Sequence, residues 1–508
     1  MEGKMDLVKP HAFTYGREVT SFIHGEFIAP GAGERMEVFN PADERPLGIL
    51  YEADGRQVDD AVASARQAFE DDVWRGLSVQ ARQGVLRVIH DLILANADEL
   101  AFLECLNTGL TYAQVRGRHV VRAAANFSFF ADYIGQTQGE VYTQTDNFIT
   151  TVTREPVGVA ALIAPWNAPL ALATMKIAGA IAFGNSCVLK PSEFTPLSFI
   201  RLMTLFTQAG VPPGVINMVN GRGPMTGAAL VSHDQIDVVA FTGGTRTGRA
   251  IGAAAGGGLK KVMMELGGKS ANIIFDSADQ ARALDGALLG IYSNNGQQCL
   301  AGSRILVQRA IADEFISAFV ARTQNIRVGD PFDPATEVGP VISKAQMERV
   351  LTFAQNARAQ GCEVLTGGAR APEFAHGFYV QPTAVRAPSN HAGVCREEIF
   401  GPFATFIVFD EVDEALALAN ESAFGLVSYV WSDDLPTVTR AMTVLRTGVV
   451  WVNTPMMREL RAPFGGFKAS GVGRTGGRAN EQLFTEEKTV TLPIRPVDPP
   501  RLGLDIKP

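Results

Sequence analysis

The chain has 508 residues, 46% hydrophobic and 19% charged, with a formal net charge of -8, so one simple core is too small and two or three domains are expected. The acidic balance gives no reason to expect a nucleic-acid partner, and the 51 glycines follow no Gly-x-y period, which excludes a fibre. Five cysteines (Cys105, Cys187, Cys299, Cys362 and Cys395), odd in number and with no C-x-x-C pair, argue against a disulfide framework or a thiolate zinc site and for the reducing cytoplasm.

In chain order, the leading "MEGKMDLVKPHAFTYGREV" lacks a long apolar run and a cleavage signature, so it reads as a cytoplasmic tail. "SFIHGEFIAP" and "MEVFNPADERPLGIL" predict short strands joined by a Gly-rich turn. From Gln57 to about Gly135 the period is helical. Val58, Ala61, Val62, Ala65 and Phe69 share one face, and Gly109 is placed to end a helix. "EVYTQTDNFITTVTREPVG" turns to the Thr, Val and Ile content of extended strands.

Short apolar strands then alternate with helices, from "VGVAALIAP" through "SCVLKP", "GVINMVNG", "IDVVAFTG" and "KVMMELGG". That alternation signals an α/β fold built on parallel sheet. The most apolar stretch is broken by Pro165, Asn167 and Pro169, so it reads as strand, loop and helix, with no membrane span. A second α/β series follows Gly268, with "SANIIFD", "SRILVQ" and "ATFIVFD" as strands. The closing "TEEKTVTLPIRPV" is again extended, and with residues 140–157 it could form an arm used in assembly.

Several short constellations could carry chemistry. "FTGGTRTG", Phe241 to Gly248, follows an apolar strand and opens a helix. Gly243 and Gly248 would let a pyrophosphate approach the helix N-terminus, although an ordinary strand-to-helix turn looks the same. Lys190 and Glu193 of "KPSE" sit at a strand end, where side chains line ligand crevices. They could bond ribose hydroxyls, and the carboxylate would repel the extra phosphate of NADP. They could equally be a solvated pair.

"APWNAP" holds Trp166 and Asn167 between prolines, where a rigid carboxamide could donate to an oxyanion or simply close a turn. Glu265 of "MELGGKS" ends another apolar strand; burial would raise its pKa and suit it as a base, whereas a salt bridge would make it structural. In "NNGQQCLAGSR", Cys299 has no His or Cys within eleven residues on either side, so a metal site is not expected. A lone cysteine is usually an inert buried thiol; as a nucleophile it needs a base and an oxyanion donor. Glu265 and Asn167 are the candidates.

Asn167, Lys190, Glu193, "FTGGT", "ELGG", "GQQC" and "EEIFGPF" occur in an order and spacing that resembles the NAD(P)-dependent aldehyde dehydrogenase superfamily over roughly residues 20–495. The resemblance implies that Cys299 attacks the aldehyde, that Asn167 and the cysteine N–H hold the thiohemiacetal oxyanion, and that hydride passes to the nicotinamide. Water then cleaves the thioester with Glu265 as base. It further implies cofactor contacts from Trp166, Lys190, Glu193, Phe241, Gly243, Gly244, Gly248 and Leu266, with Glu398 and Phe400 at the nicotinamide ribose. NAD is the expected cofactor, with NADP open.

The fold implied is aldehyde dehydrogenase-like. A Rossmann-like NAD-binding domain spans 1–138 and 158–267, and an α/β catalytic domain spans 268–483. An arm at 139–157 with the strand and tail at 484–508 would build a homodimer or homotetramer.

The chain departs from the family twice. "FTGST" is here "FTGGT", so Gly244 lacks a hydroxyl, and Thr475 of "SGVGRTGG" stands where many members carry a second glutamate. Proton transfer is therefore expected to rest on Glu265 alone. "VVRAAANFSFFADY" and "ELRAPFGGFKASGVGR" look most like dehydrogenases of hydroxymuconic-type semialdehydes from aromatic breakdown. In some of those, arginines matching Arg122 and Arg461 hold the substrate carboxylate, as bidentate guanidinium suits. Structural salt bridges are the plain alternative.

Gln298 and Leu300 are expected to border the substrate pocket. Aliphatic, aromatic or betaine-type aldehydes stay open as substrates. From other classes, a thiol esterase or a non-catalytic nucleotide-binding protein is the alternative, against which the nucleotide motifs and the intact Cys299 and Glu265 weigh.

Overall fold

The computed structural model describes residues 16–503. Most of the leading segment read as a tail, and the last five residues, lie outside that range.

An eight-stranded sheet runs, edge to edge, Gly471–Val472, Lys261–Glu265, Val238–Thr242, Val159–Ile163, Ser186–Lys190, Ile216–Met218, Phe22–Ile23 and Glu26–Phe27. The first and the last two strands pair antiparallel; the five between are parallel. Those five lie between packed layers, which is why "VAALI" and "SCVLK" are apolar enough to be buried at every position. Val159, Ala161 and Ile163 face a core with Val58, Ala61, Val62 and Ala65. Ala160 and Leu162 face the opposite core, beneath the helices Val79–Ala95, Val121–Ile134 and Pro169–Ala182.

Strand order reverses between Val159–Ile163 and Val238–Thr242. The loops after these two strands therefore diverge and leave a crevice at their carboxyl ends, the usual ligand position in an open α/β sheet.

A seven-stranded sheet follows, in the order Glu363–Thr366, Thr383–Arg386, Phe403–Phe409, Arg304–Gln308, Ala271–Ile274, Val427–Trp431 and Val449–Val452. Only its first pairing is antiparallel. Side chains alternate between two cores, Leu306 to one and Ile305 and Val307 to the other. A separate three-stranded sheet pairs Thr485–Pro493 with Phe148–Pro156 over its full length, with Glu140–Tyr142 on the far side. Val141, Tyr142, Val490 and Leu492 are exposed on it.

The expected helix starting near Gln57 spans Gly55–Glu70, with the Asp54 carboxylate accepting from the Gln57 N–H. Gly109 ends the helix Ala97–Thr108 at φ 72°, its N–H bonded to the Cys105 carbonyl. Phe69 differs from its expected core position. Ala68 takes the buried place, and the Phe69 ring lies half-buried under the Arg75 guanidinium at 4.5 Å. Positions 68 and 69 both fit the helical period, and the smaller side chain fits the tighter interior. Widened helical turns at Val115–Val120 and Gly223–Gly227 were invisible to a 3.6-residue period.

Candidate active site

The loop before Cys299 is shaped by its own sequence. The helix Gln280–Tyr292 stops at Ser293, and Asn294 and Asn295 turn left-handed at φ 56° and 53°. Asparagine tolerates that region because its short amide can bond nearby backbone. Asn295 Nδ2 donates to the carbonyls of Gly109 and Pro340, both at 2.9 Å. Gly296 follows at φ 70°, where a Cβ would come within 2.2 Å of the Gly401 backbone. Only glycine fits there.

Cys299 lies half-buried against Leu426, Tyr429, Trp451 and Phe464. Burial pushes its thiol up to about 12, and Glu265 and Glu398 push the same way. The N–H groups of Cys299 and Leu300 pull it back. The resting side chain is a neutral thiol, so it needs a base before it can attack. The four other cysteines are free and buried.

Asn167 is buried in the crevice beyond Val159–Ile163. Its Nδ2 donates to the Gln297 carbonyl at 2.9 Å. A carboxamide carries two N–H bonds; with one anchored on the cysteine loop, the orientation of the other is set. The Asn167 carbonyl in turn accepts from Asn294 Nδ2 at 2.8 Å. The two loops thus hold one another, which the flanking prolines alone did not reveal.

Glu265 ends the strand Lys261–Glu265 in register with Thr242 and is buried. Its Oε1 accepts from the Thr475 hydroxyl at 2.5 Å. Lys176, in the middle of the apolar helix Pro169–Ala182, is buried and donates to Thr242 Oγ1 at 2.6 Å. Burial lowers its pKa, while Glu265 and Cys299 favour its charge. Sequence reasoning passed over Lys176. The available signal was a single cation inside an otherwise apolar helix.

A pocket of about 560 Å³ occupies the crevice at the sheet's reversal. Trp166, Lys190, Glu193, Phe241 and Gly243 line it. Lys190 is buried, with Nζ 3.3 Å from Glu193 Oε2; burial lowers its pKa and Glu193 opposes that. The helix Thr245–Gly257 has no side-chain cap, so its first N–H groups face the pocket end without a protein acceptor. Gly244 is the N-cap, with open space around its Cα. Gly248 does not line the pocket; it lets the helix settle on Leu266, whose Cδ2 would lie 2.5 Å from a Cβ.

Glu398 Oε1 accepts from the Gly268 N–H at 2.9 Å. Burial pushes its carboxyl up to about 7, against the pull of that N–H, Lys269 and Arg349. Phe400 meets the Trp166 ring edge-on at 5.2 Å. A dinucleotide would fit this cradle, with an uncapped helix end for phosphates and paired polar groups for a ribose.

The family model for the aldehyde dehydrogenase family matches residues 27–490. The chain belongs to the aldehyde dehydrogenase family. It is 39% identical over 486 residues to 2-hydroxymuconic semialdehyde dehydrogenase of Pseudomonas sp. (strain CF600), covering 94% of this chain and 100% of that one. It is also 39% identical over 479 residues to betaine aldehyde dehydrogenase of Cereibacter sphaeroides, covering 94% and 98%. The NAD+ complex of an aldehyde dehydrogenase from Bacillus cereus superposes with a TM-score of 0.92 at 38% identity, covering 94% of this chain and 97% of that one. The protein is accordingly an NAD(P)-dependent aldehyde dehydrogenase, with a mixed α/β aldehyde dehydrogenase fold.

Around the thiol of this aldehyde dehydrogenase, Leu300 packs beside Cys299, and its carbonyl accepts from the Tyr429 hydroxyl at 2.7 Å. The Gln298 amide instead turns back to the helix end, donating to Gly290 O and Ser293 Oγ. Arg122 is half-buried, its Nε bonded to Asn126 Oδ1 at 2.9 Å.

Arg461 does not join Arg122. It is 78% exposed and forks onto Glu459 with bonds of 3.0 and 2.9 Å. The half-buried arginine of that loop is Arg458, which lies over the Phe464 ring at 4.4 Å. Burial, and to a lesser extent the charge of Arg458, lower the pKa of Arg122 to about 10 against the opposing pull of Glu265; burial lowers Arg458 as well. Among the described residues, no three His, Cys, Asp or Glu side chains gather as a metal site, and no helix is long and apolar enough to cross a membrane.

Proposed function

We propose that this aldehyde dehydrogenase oxidises a semialdehyde that carries a carboxylate, of the kind produced when aromatic rings are cleaved. The supporting observation is the Arg122 and Arg458 pair. Both guanidinium groups are half-buried, burial lowers the pKa of each, Arg458 lowers that of Arg122 as well, and neither forms an ion pair within 4.0 Å among the described residues. Such a pair favours an anion between them. Phe464, under Arg458, belongs to the same cluster as Cys299 and Leu300, so an anion held there would belong to a molecule whose other end reaches the thiol. The likeness to a hydroxymuconic semialdehyde dehydrogenase points the same way.

The Cys299 sulfur attacks the aldehyde carbon as its proton leaves toward Glu265. The second N–H of Asn167 and the backbone N–H of Cys299 stabilise the oxygen as it gains charge. When bound, NAD accepts the hydride that turns the thiohemiacetal into a thioester. Glu265 then takes a proton from the water that cleaves the thioester, restoring the thiol and releasing the acid.

Trp166, Lys190, Glu193, Phe241 and Gly243 hold the nucleotide, with Glu398 and Phe400 at the nicotinamide ribose. Glu193 would repel a 2′-phosphate, which favours NAD over NADP. We assign residues 1–138 and 158–267 to NAD binding and 268–483 to catalysis. The arm at 139–157 and the strand and C-terminal tail at 484–508 are assigned to a cytoplasmic homodimer or homotetramer, whose assembly would cover the exposed Val141, Tyr142, Val490 and Leu492.

The test is NADH formation from a panel of aldehydes matched in length, with and without a carboxylate. Higher kcat/KM on the carboxylated members is expected. Equal or better turnover of betaine aldehyde or neutral aldehydes would replace this reading with a broad-specificity enzyme.

A further inference from the structure

Thr475 stands where many family members carry a second glutamate, and the structure gives its hydroxyl a contact with Glu265. We propose that the Thr475 hydroxyl is a positioning group for Glu265, fixing one carboxylate oxygen so that the other faces the water that cleaves the thioester. This rests on the reading of Glu265 as the base of that step.

Thr475 is 3% exposed, and its backbone exchanges both hydrogen bonds with Phe464 at 2.8 Å. The next residue, Gly476, has φ 109°, and a Cβ there would sit 2.5 Å from the Ala462 carbonyl. The chain can make this bend only with glycine, and the bend turns residue 475 inward. On the other side, Gly471 pairs with Glu265, and the Leu266 N–H bonds to the Ser470 carbonyl at 3.0 Å. The segment from Phe464 to Thr475 is therefore laced to the strand that ends in Glu265.

The hydroxyl donates to Glu265 Oε1 at 2.5 Å, the only hydrogen bond made by that carboxylate among the described residues. A β-branched side chain on a paired backbone has little rotameric freedom. The Glu265 side chain turns about three bonds by comparison, so the threonine is the fixed partner.

The other groups around Glu265 are charged or ionisable. Lys176 from the helix Pro169–Ala182, Arg122 from Val121–Ile134, Arg458 from the loop before Phe464, and the Cys299 thiol all sense its charge. The cations would draw the carboxylate toward themselves. A neutral donor that bonds one oxygen holds it in place without neutralising it. In the cleavage step the water oxygen bonds to the thioester carbon, the C–S bond breaks, and the water proton passes to the free oxygen of Glu265. A donor on the first oxygen leaves the second oxygen free to take that proton.

The test uses the full-length protein with p-nitrophenyl acetate. Attack by Cys299 releases p-nitrophenolate in a burst and leaves an acetyl thioester, and the steady rate then reports its hydrolysis. Thr475→Val removes the hydroxyl and keeps the shape; Thr475→Ser keeps the hydroxyl. Thr475→Val is expected to retain the burst amplitude and to hydrolyse the acetyl-enzyme about tenfold more slowly at neutral pH. Thr475→Ser is expected to stay near the wild type.

A Thr475→Val time course that overlays the wild type in both the burst and the steady rate would overturn the proposal. If that variant does not fold, Thr475→Ala against Thr475→Ser makes the same comparison. Glu265→Gln separates the two ideas: if it clears the acetyl group at the wild-type rate, the general-base reading fails, whereas slow clearance with a wild-type Thr475→Val profile sinks only the role of Thr475.

Discussion

Replacing Arg458 by Ala tests the substrate reading at the residue that carries it. The guanidinium is half-buried over Phe464 at 4.4 Å, with only long bonds of 3.4 and 3.3 Å to the carbonyls of Glu459 and Ala462. Its strong donors are therefore available to an incoming anion. A hydrogen bond between charged groups contributes about 1.5–3 kcal/mol, or roughly 10- to 150-fold in kcat/KM. Arg458→Ala should lose that factor on succinic semialdehyde and change by less than about twofold on butanal, which has no carboxylate to lose. Arg122→Ala should behave alike. Arg461→Ala should leave both substrates near the wild type, because that side chain is exposed and tied to Glu459. The assay is NADH formation at saturating NAD. Equal losses on both aldehydes would mean that Arg458 supports the loop and not the substrate. A selective loss in Arg461→Ala alone would mean that the loop turns over when substrate binds, and the reasoning from the present arrangement would be wrong.

Two further outcomes follow from individual groups. Glu398 is pushed up from 4.5 to about 7 by burial. The folded protein therefore keeps a proton that the unfolded chain releases over that window, and this group's contribution to stability falls as pH rises through it. Glu398→Gln should melt above the wild type at about pH 8 and match it near pH 5 in calorimetry without nucleotide; a constant gap would refute the assignment. Asn167→Ala should lower kcat about 10²- to 10³-fold with NAD affinity retained by titration calorimetry, since its amide faces the Cys299 loop.

Much of this site was legible in the sequence because its parts sit at strand ends. Glu265 and Lys190 end apolar runs, and Asn167 and Gly243 follow such runs within a few residues. Periodicity locates strands, and strands locate their ends. What periodicity could not show was which way an irregular loop turns. Arg458 and Arg461 are three residues apart in "MMRELRAP". The loop between Trp451 and Phe464 includes left-handed turns at Asn453 and Met456, and its path puts Arg458 inward and Arg461 out. The direction of the Gln298 amide was hidden for a related reason, since its partners at Gly290 and Ser293 come from a helix end just before it. Thr475 was read by what it lacks relative to relatives, and only its contact with Glu265 shows what it supplies.

The central claim is that Cys299 carries the substrate through a thioester. Glu265→Gln mixed with NAD and a turned-over aldehyde, quenched in acid and analysed by peptide mass spectrometry, tests it most directly. Because this variant also loses the base that takes the thiol proton, NADH is predicted to form slowly and to stop near one per protomer, with an acyl group on the peptide holding Cys299. NADH release with no adduct at Cys299, or with the acyl group on one of the other four cysteines, would contradict it.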